Sequence, residues 1–568
     1  MLNNYNFRFE YLIDGKLFVS DKKENEHYSV SSVFKNKLFT LKLVPKTKIE
    51  MKRCSIIYDY SYGENSKVFA NGYQSWTTSR EYRKGDTQKG LKGLAKYYPV
   101  KYFASIFGDY SFAEYSNKPG FFHSFTYGYI KSGDELTLIG SLTERQGYTI
   151  IYYDMNNNKL RIDKDVEGVT TDKEYALYEL YITEGSYNQV FDSYFNAMNI
   201  PKPKINFICG YTSWYNYFGG ITEKIIERDL EGLSRLGDKA DIFQIDDGYQ
   251  AAVGDWLKTD QQKFPKGMKY LADRIHSYGY KAGLWLAPFC AARNSEIAKN
   301  HPEWLIKNDK GKPVLGSIAW GGAYVLDIYI KEAADYIREV FRTVVKDWGY
   351  DLVKLDFLYS ICMQPRNNKS RGQIMCEAMD FLRECVGEDK YILGCGVPLG
   401  PSFGKVNLCR ISCDVDLSFK DKFYVKHTNS EVVNTRNAMN NTIFRRHLDG
   451  RAFANDPDVF FLRDNDLTKK DELFLKKGKL RFTQEQKKLL AKINNMFGSV
   501  LFVSDNIGGY NDEQLELVKE AFEPAKYQIL DAEYISDDDV SIKYMDGKEM
   551  YELKFNFLSG ESSVVKCK

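Results

Sequence analysis

Eight apolar runs alternate with amphipathic helical segments between residues 205 and 508, and this alternation restricts the fold more than any other feature. One helix candidate is capped by Thr222, and another extends from Ile330 to Trp348. The apolar runs are Phe207–Gly210, Ile242–Ile245, Ala282–Leu286, Leu352–Phe357, Tyr391–Gly394, Leu408–Ser412, Ala452–Ala454 and Val500–Val503. Eight strand–helix units over about 300 residues predict a (β/α)8 TIM barrel. The spacing is uneven, with long insertions after the third run, so an open doubly wound sheet is the competing interpretation.

The two ends of the chain have a different pattern from the middle. Residues 1–198 contain short alternating runs such as Lys37–Leu43 and Leu136–Leu142, separated by turn-forming residues, which predicts an N-terminal β-sandwich. Pro201 and Pro203 favour an extended linker. We therefore expect the barrel to occupy residues 204–508. Alternating runs such as Met550–Phe555 predict a small C-terminal antiparallel β domain over residues 509–568.

Composition argues against several classes of partner. The 79 basic and 77 acidic residues give a formal net charge of +2, which argues against a nucleic acid or an anionic membrane as the main partner. No apolar run approaches the roughly 20 residues that span a bilayer, and residues 1–6 lack the features of a signal peptide. The ten cysteines have no paired spacing, which is typical of free thiols in a reducing cytoplasm. Histidines and cysteines form no cluster at metal-ligand spacing, so no metal and no other cofactor is expected. The oligomeric state, a homo-oligomer included, stays open.

Two charges, Lys354 and Asp356, interrupt the fourth apolar run. Because successive strand side chains alternate between faces, these two residues project from the same side of the sheet. Removing an ammonium and a carboxylate from water is costly unless the two are paired. A structural ion pair and a functional site both agree with this segment alone. In a functional site, Lys354 would hold Asp356 ionised, as a nucleophile requires.

Polar and aromatic side chains follow nearly every apolar run. They are Trp214, Tyr215, Asp246, Asp247, Trp285, Lys354, Asp356, Cys395, Gly396, Arg410, Asp414, Asn455, Asp456, Asp458, Ser504 and Asp505. In a (β/α)8 barrel the carboxyl ends of the strands meet at one mouth, where active sites form. Carboxylates combined with Trp and Tyr rings suit a sugar, because carboxylates accept hydrogen bonds from hydroxyls and the rings cover apolar C–H faces.

Two carboxylates can divide glycoside hydrolysis between a nucleophile and a proton donor. Asp356 is the candidate nucleophile. Asp414 is a candidate proton donor, but Asp416 shares its face, and the pattern alone does not choose between them. A Ca²⁺ site is the competing interpretation of Asp246–Asp247 and of the Asn455–Asp458 turn. Neither segment has the alternating oxygen-ligand loop of a calcium motif.

Six motifs resemble glycoside hydrolase family 36, in the clan of retaining α-galactosidases, and most closely its compact bacterial members. The motifs are Gly210–Tyr215, Phe243–Tyr249 with Gly254–Leu257 close behind, Gly283–Pro288, Lys354–Phe357, Leu393–Pro398 and Arg410–Asp414. They follow the family's order across the whole barrel. The N-terminal segment Asn71–Trp76 also resembles the loop through which the family's β-sandwich lends a tryptophan to the active site.

The resemblance implies an exo-acting retaining α-galactosidase that removes terminal non-reducing α-galactose from imported oligosaccharides. It implies that Asp356 is the nucleophile and that Asp414, rather than Asp416, is the general acid/base. For double displacement these two carboxyls should lie about 5–5.5 Å apart. The substrate-binding residues that it implies are Asp246 and Asp247 on O4 and O6, Lys354 and Arg410 on other hydroxyls, Cys395 near O2, and Trp76, Trp214, Tyr215 and Trp285 as walls of the pocket.

One segment departs from the family pattern. Members usually continue past the acid/base with Thr-Ala-Pro-aromatic-Trp, whereas Val415–Phe419 here reads VDLSF. Because this segment borders the leaving-group side, the aglycone preference is open, and an α-N-acetylgalactosaminidase is the leading alternative. A plant-type galactosyl-transfer enzyme fits the compact length less well. A non-catalytic galactoside-binding protein is the alternative from a different class, and the presence of both Asp356 and Asp414 argues against it.

Overall fold

Two segments from the middle of the sequence fold with the N-terminal residues. The computed structural model describes residues 4–421, 431–464 and 480–567. One unit comprises Met1–Pro201, Tyr359–Phe381 and Pro398–Lys405, and the other comprises Lys202–Leu358, Leu382–Val397 and Val406–Lys568. The domain boundaries expected from the sequence alone stay a prediction.

The first unit is built from two antiparallel sheets. Its described strands are β1 (Asn6–Ile13), β2 (Lys16–Ser20), β3 (Tyr28–Lys35), β4 (Leu38–Pro45), β5 (Ile49–Asp59), β6 (Lys67–Ala70), β7 (Arg80–Arg83), β8 (Phe121–Phe125), β9 (Tyr127–Ser132), β10 (Glu135–Ser141), β11 (Tyr148–Asp154), β12 (Lys159–Asp165), β13 (Thr170–Thr171) and β14 (Tyr175–Gly185). One sheet has the order β2-β1-β5-β12-β11-β8, with β13 added beside β5. The other has the order β3-β4-β14-β10-β9-β6-β7.

Alternation of apolar and polar residues creates the core of this unit. In β4, Phe39, Leu41 and Leu43 are buried, while the residues between them are partly or fully exposed. These side chains share one hydrophobic cluster with Phe7 of β1 and Ile56 of β5, which belong to the other sheet. A sheet that is apolar on one face is stable when that face is buried against a second sheet. The predicted β-sandwich is therefore confirmed.

Nine strands of the second unit form a single parallel sheet. The described strands of this region are β15 (Ile208–Thr212), β16 (Ile242–Ile245), β17 (Lys281–Leu286), β18 (Cys290–Ala292), β19 (Leu315–Ser317), β20 (Ala323–Val325), β21 (Leu352–Leu355), β22 (Tyr391–Gly394), β23 (Leu408–Arg410), β24 (Ala454–Asp456), β25 (Val459–Phe460) and β26 (Val500–Val503). The order in the sheet is β24-β23-β22-β21-β17-β16-β15-β26-β25. The strands β18–β20 form a separate antiparallel sheet in the predicted insertion after the third barrel strand.

The seventh barrel strand is split, and its two pieces close the ring. β24 pairs with β23, and β25, which begins only three residues after β24 ends, pairs with β26. Pro457 and Asp458 separate the two pieces, and Asp458 has a positive φ of 77°. The circular pairing confirms the predicted TIM barrel and is inconsistent with the open doubly wound sheet. The sequence placed the seventh strand at Ala452–Ala454, two residues too early, and gave no sign of the break.

Described α-helices occur in both units. The described α-helices of the chain are α1 (Val100–Phe107), α2 (Tyr187–Met198), α3 (Trp214–Tyr217), α4 (Glu223–Leu233), α5 (Gly267–Ser277), α6 (Glu296–Asn300), α7 (Lys331–Arg342), α8 (Arg371–Val386), α9 (Leu399–Ser402), α10 (Thr435–Phe444), α11 (Gln484–Phe497) and α12 (Asp512–Ala521). Thr222 caps α4 by accepting a hydrogen bond from the Ile225 N–H, as predicted. Among the described residues, no helix has the length and apolarity needed to cross a membrane.

A four-stranded antiparallel sheet ends the second unit. Its strands are β27 (Tyr527–Tyr534), β28 (Asp539–Asp546), β29 (Glu549–Asn556) and β30 (Ser562–Lys566). Tyr534 anchors this sheet on α10, because its ring stacks on Phe444 and its hydroxyl donates to Asn440 Oδ1 at 2.6 Å. The predicted C-terminal antiparallel β structure is confirmed.

The close pairing of the first two barrel strands requires a glycine at position 210. A Cβ at Gly210 would lie 1.9 Å from the backbone oxygen of Ile242, its partner in β16. We expect Gly210→Ala to destabilise the protein by on the order of 3 kcal/mol, because the neighbouring backbone must move. Thermal unfolding measures the loss. Gly509→Ala, where a Cβ meets nothing within 4 Å, is the control and should change the melting temperature little. Equal melting temperatures for the two variants would contradict this packing.

Candidate active site

One hydrogen-bonded and charged cluster at the barrel mouth contains most of the residues selected from the sequence. Its members among those residues are Tyr215, Asp246, Asp247, Trp285, Lys354, Asp356, Cys395, Arg410 and Asp414. Trp214 is half-buried at the start of α3, with its ring 5.2 Å from that of Phe218. Trp76 belongs to the first unit, where it packs against Phe107 and Tyr359. The roles of Trp214 and Trp76 as pocket walls stay predictions.

Asp356 is held in a fixed orientation directly after β21. Its Oδ2 accepts a hydrogen bond from Trp285 Nε1 at 3.1 Å, and its Oδ1 accepts from the Phe357 N–H at 2.8 Å. Phe357 has a positive φ of 56°, a conformation that is unusual for a bulky residue. This turn directs the N–H of Phe357 back to the carboxylate. Both oxygens of Asp356 are therefore bonded by groups fixed in the barrel wall.

The surroundings of Asp356 have opposing effects on its pKa. Burial, which penalises the charged form, raises the pKa above its ordinary value, and the negative charge of Asp414 adds to this. The positive charge of Lys354 and the hydrogen bonds from Trp285 and Cys395 act in the other direction. The net pKa of Asp356 is raised. The sequence interpretation weighed the cost of burial against the charge of Lys354, and burial is the larger of the two effects.

Lys354 makes its direct contact with Asp246. Its Nζ donates to Asp246 Oδ2 at 2.8 Å, and both side chains are almost fully buried. Burial opposes the charge of Lys354, but the negative charge of Asp246, together with smaller effects of Cys395 and Asp356, raises the lysine pKa overall. The strand pattern suggested an ion pair between Lys354 and Asp356. This is corrected, because the ion pair of Lys354 is with Asp246. The two residues share a side of the sheet, but β16, which is separated from β21 by β17, supplies the closer carboxylate.

Further donors hold Asp246 in place. Gln244 Nε2 donates to its Oδ2 at 2.9 Å, and the Asp247 N–H donates to its Oδ1 at 2.9 Å. The N–H of Asp246 itself donates to Ser213 Oγ at 2.9 Å. The end of β16 is thereby fixed to the end of β15, and a buried charge receives the several hydrogen bonds that it needs.

Trp320 contacts this cluster from the insertion after β17, and the sequence gave no indication of it. Its Nε1 donates to Asp247 Oδ2 at 2.8 Å, and Gln250 Nε2 donates to Oδ1 at 2.6 Å. Burial raises the pKa of Asp247, and the charges of Asp246 and Asp356 add to the increase. The Trp320 ring is also tilted against that of Trp285 and edge-on to that of Phe357, with centroids 5.9 and 4.8 Å away. The insertion also contains Trp304, so a tryptophan in it was no specific signal.

Arg410 is a buried cation among three carboxylates. Its Nη1 donates to Asp414 Oδ1 at 2.9 Å, and its Nε donates to Asp456 Oδ2 at 3.3 Å. Its Nη2 lies 2.8 Å from Asp458 Oδ1. These carboxylates raise the pKa of Arg410 against the opposing effect of burial. The contact of Arg410 with sugar hydroxyls stays a prediction, and its described partners are carboxylates.

Asp458 connects Arg410 to Tyr215. The Tyr215 hydroxyl donates to Asp458 Oδ2, and the Tyr215 N–H donates to Ser504 Oγ at 2.9 Å. Burial raises the pKa of Asp458 to about 7, with further increases from Asp414 and Asp456. Arg410 and Tyr215 limit this rise. The sequence identified Asp456 and Asp458 as strand-end carboxylates but assigned no role to either.

The two candidate catalytic carboxyls differ in their access to solvent. Asp356 is 9% exposed, whereas 33% of the Asp414 side chain is exposed. Asp414 can therefore exchange protons with water, while Asp356 is shielded as an oriented nucleophile is. The Asp416 backbone oxygen accepts from Thr435 Oγ1 at 3.2 Å, and the choice of Asp414 over Asp416 as proton donor stays a prediction. Across the described residues, no group of three or more His, Cys, Asp and Glu side chains is arranged to hold a metal ion.

The chain is similar to known α-galactosidases. Residues 232–380 match the family model described as Melibiase. An α-galactosidase of Escherichia coli is 33% identical over 183 residues, which are 30% of this chain and 25% of that enzyme. An A type blood α-D-galactosamine galactosaminidase of Flavonifractor plautii is 26% identical over 265 residues, which are 42% of this chain and 24% of that protein. The α-galactosidase TtGalA of Thermus thermophilus, solved with p-nitrophenyl α-D-galactopyranoside, has a TM-score of 0.68 at 22% identity, covering 91% of this chain and 99% of that chain.

These similarities confirm the resemblance that the motifs indicated and the fold that the apolar runs predicted. The melibiase match begins in α4 and ends in α8, and so includes Asp246, Asp247, Trp285, Lys354 and Asp356. The chain spans about a quarter of the length of the curated relatives that it matches.

The buried pair of Lys354 and Asp246 makes a prediction about stability. We expect Lys354→Met to cost about 3–5 kcal/mol, because the Asp246 carboxylate loses its buried countercharge. Urea unfolding measures this loss, and Asp246→Asn added to Lys354→Met should recover part of it. Lys390→Met is the control, since Lys390 pairs with Asp351 at 2.8 Å in a partly exposed position where a pair contributes about 1 kcal/mol or less. Equal losses for the two lysine variants would contradict the account.

Proposed function

We propose that the protein is a retaining exo-α-galactosidase that hydrolyses terminal non-reducing α-D-galactosyl residues of oligosaccharides. The observation that carries the proposal is the arrangement of Asp356 and Asp414. Asp356 is bonded on both oxygens and shielded from water, and Asp414 is held by Arg410 in contact with water. The motif resemblance, the melibiase match and the α-galactosidase relatives support the same reaction.

The proposed mechanism is double displacement. Asp356 attacks the anomeric carbon while Asp414 gives its proton to the leaving oxygen, which forms a galactosyl-enzyme ester and releases the aglycone. Asp414, now ionised, then takes a proton from a water molecule that attacks the ester and frees galactose and Asp356. The hydrogen bonds from Trp285 and Phe357 hold the Asp356 oxygens in one orientation, which spares the enzyme the cost of ordering them during the reaction.

The proposed sugar site lies beside Asp246 and Asp247. Asp246 and Asp247 would accept hydrogen bonds from the O4 and O6 hydroxyls. Lys354 would hold Asp246 in place through its own hydrogen bond. The Trp285 and Trp320 rings would cover an apolar face of galactose. Cys395, which bonds Asp356 through its thiol, would lie near O2. Tyr215 and Trp214 would complete the walls.

The proposed setting is the cytoplasm, with imported galactosides as substrates. All ten cysteines fall inside the described ranges, and all are free thiols, which fits a reducing compartment. The T. thermophilus enzyme bound to an aryl galactoside supports a substrate of this class. Assembly into a homo-oligomer stays open.

Nitrophenol release from paired aryl glycosides tests the proposal. At equal enzyme concentration, we expect turnover of p-nitrophenyl α-galactoside to exceed turnover of the α-N-acetylgalactosaminide, because the melibiase match and the α-galactosidase relatives favour galactose. Asp356→Asn should abolish both activities, and Asp416→Asn should retain them. Dominant turnover of the acetamido sugar would instead favour the α-N-acetylgalactosaminidase alternative. Galactose binding without turnover would favour the non-catalytic alternative.

The environment of Asp356 predicts a pH effect. The Trp285 N–H favours the ionised carboxylate, so Trp285→Phe should raise the pKa of Asp356 further. Hydrolysis needs ionised Asp356 and is lost as pH falls through this pKa, so the acid limb of kcat/KM should move to higher pH. Trp256→Phe is the control, since the Trp256 ring contacts Trp285 at 5.7 Å and its N–H bonds no described acceptor. An unchanged acid limb in Trp285→Phe would contradict the assignment of Asp356.

A further inference from the structure

Asp458 occupies a strained position inside the barrel wall. It stands between the two pieces of the seventh strand with φ at 77°, and its side chain is completely buried. A left-handed backbone is unfavourable for a non-glycine residue, and burying a carboxylate is more unfavourable still. Such a conformation persists when surrounding contacts require it, and it often marks a functional site. The contacts of the carboxylate therefore indicate what this position does.

The Asp458 carboxylate has three partners from three parts of the barrel. Its Oδ2 accepts from the Val415 N–H at 2.8 Å and from the Tyr215 hydroxyl. Its Oδ1 lies 2.8 Å from Nη2 of Arg410. The Asp458 N–H donates to Asp456 Oδ1 at 2.9 Å, which orients the second carboxylate on the same guanidinium. Straightening the backbone at Asp458 would withdraw the carboxylate from these groups.

Two of these partners determine where Asp414 lies. Val415 follows Asp414 directly, so the bond to its N–H fixes the backbone on the carboxyl side of Asp414. Arg410 holds the Asp414 side chain itself through Nη1 at 2.9 Å. Asp414 is one-third exposed and would otherwise sample several rotamers. A general acid must lie within hydrogen-bond reach of the leaving oxygen, so a loss of orientation reduces proton transfer directly.

We propose that Asp458 is a positioning residue for proton donation, and that it acts by fixing both the Arg410 guanidinium and the backbone after Asp414. The inference rests on the proposed function, because it takes Asp414 as the general acid. Asp458 itself touches no reacting atom. Its effect should therefore depend on how much the leaving group needs a proton, and this dependence separates positioning from a general loss of folded enzyme.

Two aryl α-galactosides and the Asp458→Asn variant provide the test. The amide keeps the shape of the carboxylate, but its NH2 group cannot accept hydrogen bonds. The donors that face this group therefore lose their acceptor. For phenyl α-galactoside, whose leaving oxygen needs protonation, kcat/KM should fall by about 10²-fold. For 2,4-dinitrophenyl α-galactoside, whose leaving group departs as an anion, kcat/KM should change by less than about threefold. In the second step water needs Asp414 as a general base, so kcat of the variant on the dinitrophenyl substrate should fall. Azide attacks the ester without a general base and should restore this kcat.

Two further variants distinguish a loss of positioning from a general loss of folded enzyme. Tyr215→Phe removes a single donor to Asp458 and should show the same leaving-group dependence with a smaller loss. Asp449→Asn alters a carboxylate near the amino end of the same strand, where it accepts from the Asn455 N–H at 2.8 Å and from Ser499 Oγ at 2.7 Å. It should lower the melting temperature without changing the ratio between the two substrates.

Losses of equal size on both galactosides, or no loss on either, would overturn the positioning role of Asp458 while leaving the proposed function intact. Inactivity of the unmodified enzyme on both substrates would instead overturn the proposed function, and this inference with it.

Discussion

Two buried cations divide the carboxylates of the barrel mouth between them, and the rest of the site depends on this division. Lys354 neutralises Asp246, while Arg410 is shared by Asp414, Asp456 and Asp458. An uncompensated carboxylate in this environment would be very unfavourable. Asp247 and Asp356 are also buried but depend on hydrogen-bond donors, and burial raises the pKa of each.

This division separates the site into two halves of different chemistry. The half around Lys354 is rigid and shielded, with tryptophan N–H groups directed at Asp356 and Asp247. It is suited to hold a sugar ring and to present a nucleophile. The half around Arg410 extends to solvent at Asp414, where a leaving group could depart and water could enter. A glycosidase that keeps configuration needs both halves, because one carboxyl must attack while the other transfers protons.

The sequence predicted the features that depend on local pattern. Eight apolar runs identified the barrel strands, because a parallel strand covered on both faces must be apolar throughout. The strand ends identified the site, because they meet at one mouth whatever the details of the loops. The partner of Lys354 could not be predicted, because Asp246 and Asp356 are both within reach and only the packing of neighbouring strands selects between them. Trp320 was missed because it lies in an insertion that has no strand pattern of its own. The break at Asp458 was missed because the left-handed conformation of one residue leaves no periodic signal.

The central claim is that Asp356 is the nucleophile of a double displacement. Incubation with 5-fluoro-α-D-galactosyl fluoride, followed by peptide mass spectrometry, tests it most directly. The fluorine beside the ring oxygen slows both chemical steps, whereas the fluoride leaving group accelerates only the first, so the covalent intermediate accumulates. The account predicts a single fluorogalactosyl ester on the peptide that contains Asp356, formed in step with loss of activity. A label on another carboxylate, or inactivation without any covalent sugar, would contradict it.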